Sequence, residues 1–178
     1  NIALVNEIAR FCHLSGIDVW DVLHCAGTKP FGYVPYRPGP GVGGHCIPVD
    51  PLYLSGKARS DGFSFAMLSA AREINDSMPD YVVARAAVLL EEAGIPLDRA
   101  AVLLLGASYK PDVADTWQSP VYPVARGLRL LGVHARYHDP LVSGVTVDGQ
   151  AIEREEDMVV GLRRADLAIL LQIGRAHV

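Results

Sequence analysis

The sequence predicts an α/β protein in which an all-helical segment is followed by an incomplete doubly wound parallel sheet. Three observations lead to this prediction. Apolar residues recur at helical spacing through residues 1–95, strand-like and helical runs alternate over residues 96–172, and a stretch rich in Pro and Gly interrupts the helical part. Alternating strands and helices are typical of βαβ units around a parallel sheet.

The helical segment begins with an amphipathic pattern over residues 1–15, which Gly16 ends. Asp18 is placed to cap a short second helix that Gly27 terminates. Residues 28–45 hold too many Pro and Gly for a helix or an inner strand. We therefore predict a long loop there, and loops of this length in compact proteins are usually functional.

Three more helices are predicted before the sheet. One starts at Asp50-Pro51, because Pro is favoured at the first helical position. The other two cover residues 64–76 and 79–94, and Gly94 closes the second of them.

The sheet segment alternates short apolar runs with amphipathic ones. Strands are predicted over residues 101–106, 134–138 and 167–171, and helices over residues 119–132 and 156–164. The last residues, 173–178 (IGRAHV), follow a strand-like run abruptly, and we set them aside from the fold as a non-native tail.

Composition excludes several classes of function. The formal net charge is −4 and the pI is about 5.8, so the chain lacks the broad basic field that nucleic acid or an anionic membrane attracts. No apolar run is long enough to cross a bilayer. The three cysteines are widely spaced and form no Cys-x-x-Cys pair, which argues against a disulfide framework and favours a reducing cytoplasm.

One segment holds most of the candidate reactive residues, namely Gly39-Pro-Gly-Val-Gly-Gly-His-Cys46-Ile-Pro-Val-Asp50. It contains G-x-G-x-x-G, but that dinucleotide fingerprint needs a preceding strand, and here a Pro-rich loop precedes it. Such glycines let backbone amides approach a ligand closely. Cys46 comes just before the predicted helix and four residues before Asp50. A cysteine attacks as thiolate, which cations and helix N-termini stabilise.

The residues alone leave several interpretations of Cys46 open. A lone cysteine is often a small buried hydrophobe, which is how we interpret Cys12 and Cys25 on apolar helix faces. His45 beside Cys46 suggests a metal pair, but no second ligand cluster follows, so we predict no metal site. A hydrolase with a Cys–His pair would need His45 or another His to face Cys46, whereas adjacent side chains generally point apart.

Several motifs in order carry a family resemblance. GPGVGGHCIPVDPLYL is followed by INDSMPDYVV, then by LLGASYKPDVADTWQSP and YHDP. Together they resemble the UDP-glucose/GDP-mannose dehydrogenase family, and more narrowly its branch that oxidises UDP-N-acetylhexosamines (glucosamine or mannosamine). The resemblance extends to about Gln172.

The resemblance implies a division of the chain. Residues 1–95 would form the family's central helical dimerisation domain, and residues 96–172 the first part of its Rossmann-like UDP-binding domain. The family's N-terminal NAD-binding domain and the stretch with its catalytic Lys and Asn are not in this sequence. The implied cofactor is NAD, and the implied partners are a UDP-sugar and further copies of the chain in a homodimer or higher homo-oligomer.

The resemblance also implies a reaction. The family oxidises the sugar C6 alcohol in two hydride transfers to NAD, through a cysteine thiohemiacetal and a thioester that water hydrolyses to the uronate. Cys46 matches the nucleophile and Asp50 the carboxylate that helps to activate water. The implied substrate contacts are Val42 and Gly43 along the sugar, Tyr36 and Arg37 in the loop over sugar and diphosphate, and Tyr109 and Lys110 from the UDP-binding domain.

Two departures from the family pattern concern the substrate. Val49 stands before Asp50 where the glucose-type enzymes have Lys, which fits the N-acetylhexosamine branch. Arg37 stands where relatives often carry an aromatic residue.

A third departure concerns the cofactor. Trp117-Gln118 stand where the family has Arg-Glu, and that Arg helps to bind NAD. A Trp offers no bidentate cationic fork, so weaker NAD binding is expected unless Arg126 or Arg129 on the following helix substitutes. The alternative function is a non-catalytic dimerisation and nucleotide-binding module, because hydride transfer needs the NAD-binding domain.

Overall fold

A computed structural model of the chain describes residues 1–172, and the predicted tail, residues 173–178, lies outside the described residues. The helices are α1 (Ile2–Ser15), α2 (Val19–Gly27), α3 (Asp50–Ser60), α4 (Ala66–Glu92), α5 (Val121–Leu130) and α6 (Met158–Arg164). The strands are β1 (Ala101–Leu105), β2 (His134–His138), β3 (Val145–Val147), β4 (Gln150–Arg154) and β5 (Leu167–Leu170). The predicted α/β fold class is confirmed.

The helical part is built on α1, which packs against α4. Gly16 ends α1 in the left-handed conformation, with φ of 67°, as its position in the sequence predicts. Asp18 caps α2 by accepting a hydrogen bond from the Trp20 amide at 2.8 Å. Within residues 1–172, no helix combines the length and the apolar character needed to span a bilayer.

A single helix, α4, replaces the two helices predicted over residues 64–76 and 79–94, so that prediction was wrong. The helix continues through Pro79. A proline ring holds φ at a helical value, so its cost is a missing hydrogen bond and a crowded turn rather than an impossible backbone. Met78 and Pro79 are both buried, and this packing holds the helix together across the proline.

The sheet has the strand order β3-β4-β2-β1-β5, with β4, β2, β1 and β5 parallel and β3 antiparallel to β4. From β1 the chain adds β2 and then the β3–β4 hairpin on one side of the sheet, and it then returns to add β5 on the other side of β1. The strand order therefore reverses between β1 and β5, and ligands of such sheets bind beyond the carboxyl ends of the strands at this switch point.

Successive residues of β1 face opposite layers of helices. Val102 and Leu104 join a core with the C-terminal half of α4 and with α5. Leu103 faces the other way, towards Gly161 of α6, where an added Cβ would lie 3.1 Å from its Cδ2 atom. The α4 residues Val83, Ala86 and Leu90 belong to the same core as the sheet, so α4 connects the helical part to the α/β part.

The β3–β4 hairpin is absent from the elements that the sequence predicted. Its turn is Asp148-Gly149, with φ of 50° and 78°, and such Asp-Gly pairs favour two-residue hairpin turns. Val145 and Val147 are buried while Thr146 between them is exposed, which is the alternation of a half-buried strand. That alternation beside Asp-Gly was the signal in the sequence that was overlooked.

Candidate functional site

Cys46 and Asp50 lie one turn apart at the start of α3. The Cys46 carbonyl accepts hydrogen bonds from the amides of Asp50 at 2.8 Å and Val49 at 3.1 Å, which closes the turn that leads into the helix. Asp50 is the first residue of α3, and both Cys46 and Asp50 are exposed. Cys46 therefore lies in the turn that leads into α3, and its side chain is accessible from solvent.

The first half of the glycine-rich loop is fastened to α1 and α4 by a buried amide. Asn6 is fully buried; its Oδ1 accepts the Gly39 amide at 2.9 Å and its Nδ2 donates to Asn75 Oδ1 at 2.9 Å. Gly41, with φ of 130°, passes so close to Pro79 that an added Cβ would lie 3.5 Å from the ring. The loop thus follows the surface of α4 at its proline.

The second half of the loop is pressed against the segment between β1 and α5. The Gly44 amide donates to the Trp117 carbonyl at 2.9 Å. A Cβ at Gly43 would lie 2.8 Å from both Tyr109 Cβ and the Gln118 carbonyl oxygen, and one at Gly44 would lie 2.7 Å from the Tyr109 ring. Only glycine fits at these two positions, because backbone and ring occupy the space of any side chain.

The imidazole of His45 is held between residues of that same segment. Its Nε2 is 2.9 Å from Asp115 Oδ2, and its ring stacks on Trp117 with centroids 5.4 Å apart and planes 6° apart. The Tyr109 ring meets it edge-on at 6.2 Å. Within the described part of the chain, its one side-chain hydrogen bond goes to Asp115, which does not support the Cys–His hydrolase alternative.

Asp115 connects the two loops through its carboxylate. Oδ1 accepts the Trp117 amide at 2.8 Å while Oδ2 faces His45. The amide of Trp117 and then the His45 imidazole hold the pKa of Asp115 below its usual range, so the carboxylate is charged at neutral pH.

The segment that carries Tyr109, Asp115 and Trp117 is anchored at its base by Asp139, which is 3% exposed. Asp139 Oδ2 accepts the amides of Ala107 at 2.8 Å and Ser108 at 3.2 Å. Its Oδ1 accepts two more amides, those of Leu141 at 2.8 Å and Val142 at 3.0 Å. Burial alone would raise the pKa of Asp139, but the four amide donors together lower it below its usual range.

A cavity of about 660 Å³ lies between the starts of α1 and α3 and the N-terminal half of α4. Tyr36 and Val42 line it, as do Ile47 and Pro48, which directly follow Cys46. Of the other predicted site residues, Arg37 and Lys110 are exposed, and Lys110 lies over the Tyr109 ring at 5.4 Å from its centroid.

The structure thus brings together Gly43, Tyr109 and Trp117, and places Tyr36 and Val42 on one cavity. Arg126 and Arg129, which the sequence offered as substitute cations, are engaged elsewhere. Both bind Asp148 in the β3–β4 turn, Arg126 at 2.8 Å. The expectation that either replaces the missing arginine therefore lacks support.

Four residues hold the loops of the site in place but were not given this role from the sequence, namely Asn6, His45, Asp115 and Asp139. Asn6 left one signal, because an amide within the apolar face of a helix needs a buried partner. The other three left no such signal. His45 and Asp115 contact each other across 70 positions of the chain, and Asp139 binds backbone amides, which no sequence pattern identifies.

Two sequence patterns that can indicate a ligand are a group of metal-binding side chains and the dinucleotide fingerprint. Residues 1–172 contain no cluster of three or more His, Cys, Asp or Glu side chains suited to a metal ion. The G-x-G-x-x-G run has no strand before it, and two of its glycines are packed against other residues, Gly41 against Pro79 and Gly44 against the Tyr109 ring.

Two family models match the chain. The UDP-glucose/GDP-mannose dehydrogenase family, central domain, matches residues 1–77, and the UDP binding domain of the same family matches residues 103–174. Cys46 lies in the first match, and Tyr109, Asp115 and Trp117 in the second.

The similar proteins are named as sugar-nucleotide dehydrogenases. The UDP-N-acetyl-D-glucosamine 6-dehydrogenase of Pseudomonas aeruginosa is 41% identical over 143 residues, covering 80% of this chain and 33% of that protein. The UDP-N-acetyl-D-mannosamine dehydrogenase of Methanococcus maripaludis is 39% identical over 143 residues, covering 80% and 32%. The chain therefore spans about a third of the length of the curated relatives it matches.

Solved structures show the same fold. The UDP-D-ManNAc dehydrogenase of Pyrococcus horikoshii superposes with a TM-score of 0.84 and 30% identity, over 98% of this chain and 38% of that one. A UDP-glucose dehydrogenase of Pyrobaculum islandicum gives 0.83 and 28%, over 97% and 40%.

Proposed function

This chain belongs to the UDP-glucose/GDP-mannose dehydrogenase family, and on that premise we propose that the intact protein oxidises the C6 hydroxyl of a UDP-sugar to a carboxylate. The observation that carries the proposal is the Cys46–Asp50 turn, which opens α3 beside a cavity of about 660 Å³ and follows a loop packed on the UDP-binding domain. The names of the relatives and Val49 before Asp50 favour a UDP-N-acetylhexosamine as the substrate.

In the proposed reaction the C6 alcohol first loses a hydride and a proton to become an aldehyde. The Cys46 thiolate then adds to the aldehyde carbon, and the resulting thiohemiacetal keeps C6 in place for a second hydride loss. The thioester that forms is attacked by water, which releases the uronate and returns the thiolate. The exposed position of Cys46 in the turn before α3 supports this role, because a nucleophile must be accessible to its substrate.

Asp50 is proposed to assist the hydrolytic step. It lies one turn after Cys46 and is exposed, so its carboxylate can take a proton from a water molecule near the thioester. The proposed sugar contacts are Tyr36 and Val42 on the cavity wall, with Arg37 and Gly43 beside them in the loop. Tyr109 and Lys110 are proposed to reach the substrate from the UDP-binding domain.

The oxidant that the family resemblance implies is NAD, which would accept both hydrides. The arginine that the resemblance leads us to expect for NAD is absent, because position 117 is Trp, and Arg126 and Arg129 are bound to Asp148. We propose that NAD binds to the family's N-terminal domain, which this sequence does not include. By itself the chain, divided as residues 1–95 and 96–172, is then a dimerisation and nucleotide-binding module.

The proposal is tested by replacing Cys46 with Ser in the intact protein. Net formation of uronate and NADH is expected to fall roughly a thousandfold or more, because the thioester route is closed. The measurement is steady-state NADH production with UDP-N-acetylglucosamine and UDP-N-acetylmannosamine. Cys25 is exposed and not buried as its helix face led us to expect, so Cys25→Ser is the matched control and is expected to leave turnover unchanged. Undiminished turnover in Cys46→Ser would remove this cysteine from the mechanism.

A further inference from the structure

His45, the residue directly before Cys46, has a more elaborate environment than an exposed side chain requires. Its side chain is 57% exposed, yet three residues of the β1–α5 segment hold it on three sides: Tyr109, Asp115 and Trp117. We name these four residues the His45 clamp. The partners come from the part of the chain that matches the UDP-binding domain, whereas His45 lies in the part that matches the central domain.

The contacts of the clamp define both the position and the plane of the imidazole. The Asp115 carboxylate fixes one ring nitrogen at 2.9 Å, and the Trp117 indole lies nearly parallel to the ring, 6° from its plane. Asp115 is itself held by the Trp117 amide at 2.8 Å. A single exposed ion pair contributes little, but a hydrogen bond and an aromatic stack acting on one ring reinforce each other.

The backbone on the N-terminal side of His45 is seated by the same segment. Gly44 donates to the Trp117 carbonyl at 2.9 Å, and Gly43 and Gly44 leave no room for a Cβ against Tyr109. On the C-terminal side, Cys46 enters the turn that starts α3. His45 is therefore the residue nearest to Cys46 in the chain whose side chain is held by the segment that matches the UDP-binding domain.

We infer that His45 is a positioning residue, which docks the Cys46 loop onto the UDP-binding domain through Asp115 and Trp117. The clamp couples the nucleophile to the segment that carries Tyr109 and Lys110, so that the thiol and the proposed substrate contacts keep one geometry. This inference rests on the proposed role of Cys46. It also gives Trp117 a function in this chain, namely to provide the flat surface on which the His45 ring stacks.

The test uses this chain with Trp20→Phe, so that Trp117 is its one remaining tryptophan. His45→Ala is compared with His24→Ala, which removes an exposed imidazole from α2. Amide hydrogen exchange in the peptide over residues 43–46 is expected to become about tenfold faster in His45→Ala, the combined effect of one stack and one hydrogen bond. Trp117 emission is expected to change in the same variant and to stay constant in His24→Ala.

Two further variants separate positioning from general stability. Trp117→Leu alters an exposed side chain, and its exchange over residues 43–46 is expected to match that of His45→Ala. Combining the two changes is expected to add no further acceleration, because each one already opens the same clamp. His45→Gln keeps a donor for Asp115 without the ring, and an intermediate rate is expected.

Equal exchange rates in folded His45→Ala and His24→Ala would overturn the inference. So would acceleration spread evenly over α1 and β1, because His45 would then contribute to overall stability rather than to the docking of one loop. None of these measurements needs substrate or oxidant. Failure of the clamp is thus distinguishable from failure of the proposed function, which Cys46→Ser decides in the intact protein.

Discussion

Trp117 is the residue at which this chain departs most from the family pattern. It stands in place of an arginine expected to contact NAD, and 53% of its surface is exposed. The two nearby arginines of α5 both bind Asp148, so neither supplies the missing charge. At this position, where the resemblance leads us to expect a cationic contact, the chain has an aromatic surface that packs on His45.

Restoring the arginine in the intact protein tests the consequence for NAD. With Trp117→Arg, the apparent KM for NAD is expected to fall about tenfold to a hundredfold, because a charge-assisted contact contributes roughly 1.5–3 kcal/mol and each tenfold corresponds to about 1.4 kcal/mol. The KM for the sugar nucleotide is expected to stay the same, because the planar guanidinium of an arginine at position 117 can also stack on the His45 ring and keep the clamp closed. The measurement is a steady-state titration of NAD at saturating sugar nucleotide.

Leu130→Arg, which adds the same charge at a side chain 80% exposed on α5, controls for a general effect of charge. An unchanged or higher KM for NAD in Trp117→Arg would show that Trp117 is a packing residue alone.

At the scale of secondary-structure elements, the site depends on how the β1–α5 segment leaves the sheet. Asp139 directly follows β2, and its carboxylate accepts hydrogen bonds from the Ala107 amide after β1 and from the Leu141 amide after β2. One carboxylate thus connects the loops that leave two neighbouring parallel strands. A buried carboxylate with four amide donors fixes the base of the segment that carries Tyr109, Asp115 and Trp117.

Asp139→Asn is expected to destabilise this chain by about 2–3 kcal/mol, because the new amide nitrogen cannot accept the two hydrogen bonds that one carboxylate oxygen received. The effect depends on pH. The folded pKa of Asp139 is lowered, so its contribution is complete above the unfolded pKa of about 3.9 and is lost as the pH falls through the folded value. Urea unfolding of both proteins between neutral and acidic pH measures the difference, which should shrink on acidification.

Asp157→Asn is the matched control. Asp157 caps α6 with one oxygen, which accepts the Val159 and Val160 amides at 2.8 and 3.0 Å, and asparagine caps helices about as well as aspartate. The prediction fails if both variants lose the same free energy of unfolding, or if the loss in Asp139→Asn is independent of pH.

At the scale of the whole molecule, the face of α1 that points away from α4 carries three large apolar side chains that are exposed. Leu4, Phe11 and Leu14 lie on that face and are 52%, 61% and 85% exposed, while Val5 and Cys12 face α4. Exposed Glu7 lies among them, so one charge interrupts this surface. Exposed apolar side chains grouped along one helix face are typical of a surface that another protein covers. The family's dimerisation domain, implied by the sequence, makes a second copy of the chain the proposed partner.

The chain is therefore expected to form a dimer at tens of micromolar without cofactor, as measured by sedimentation velocity. Phe11→Glu with Leu14→Glu is expected to give a monomer, because two charges cannot be buried against an apolar partner. Leu130→Glu, at an apolar side chain equally exposed on α5, is the control and should leave the dimer intact. A well-folded monomer of the unaltered chain at this concentration would contradict the proposal.

Local patterns were sufficient for most of the architecture. The period of apolar residues, Gly16 and the Asp18 cap determined α1 and α2, and the apolar runs beyond Pro96 determined β1 and β5. These features act between residues a few positions apart, which is why they can be recognised in one dimension. The order of motifs around Cys46 determined the family in the same way.

Only the tertiary structure decided which distant segments of the chain contact each other. Packing carried α4 through Pro79, where local propensity predicts a break, and long-range contacts seated the glycine loop on Asn6 at one end and on Tyr109 at the other. His45 met Asp115 and Trp117, and Arg126 met Asp148, over separations that no local pattern encodes. Such pairs form only when the fold brings distant segments together, because their free energy depends on geometry in three dimensions rather than on neighbours in the chain.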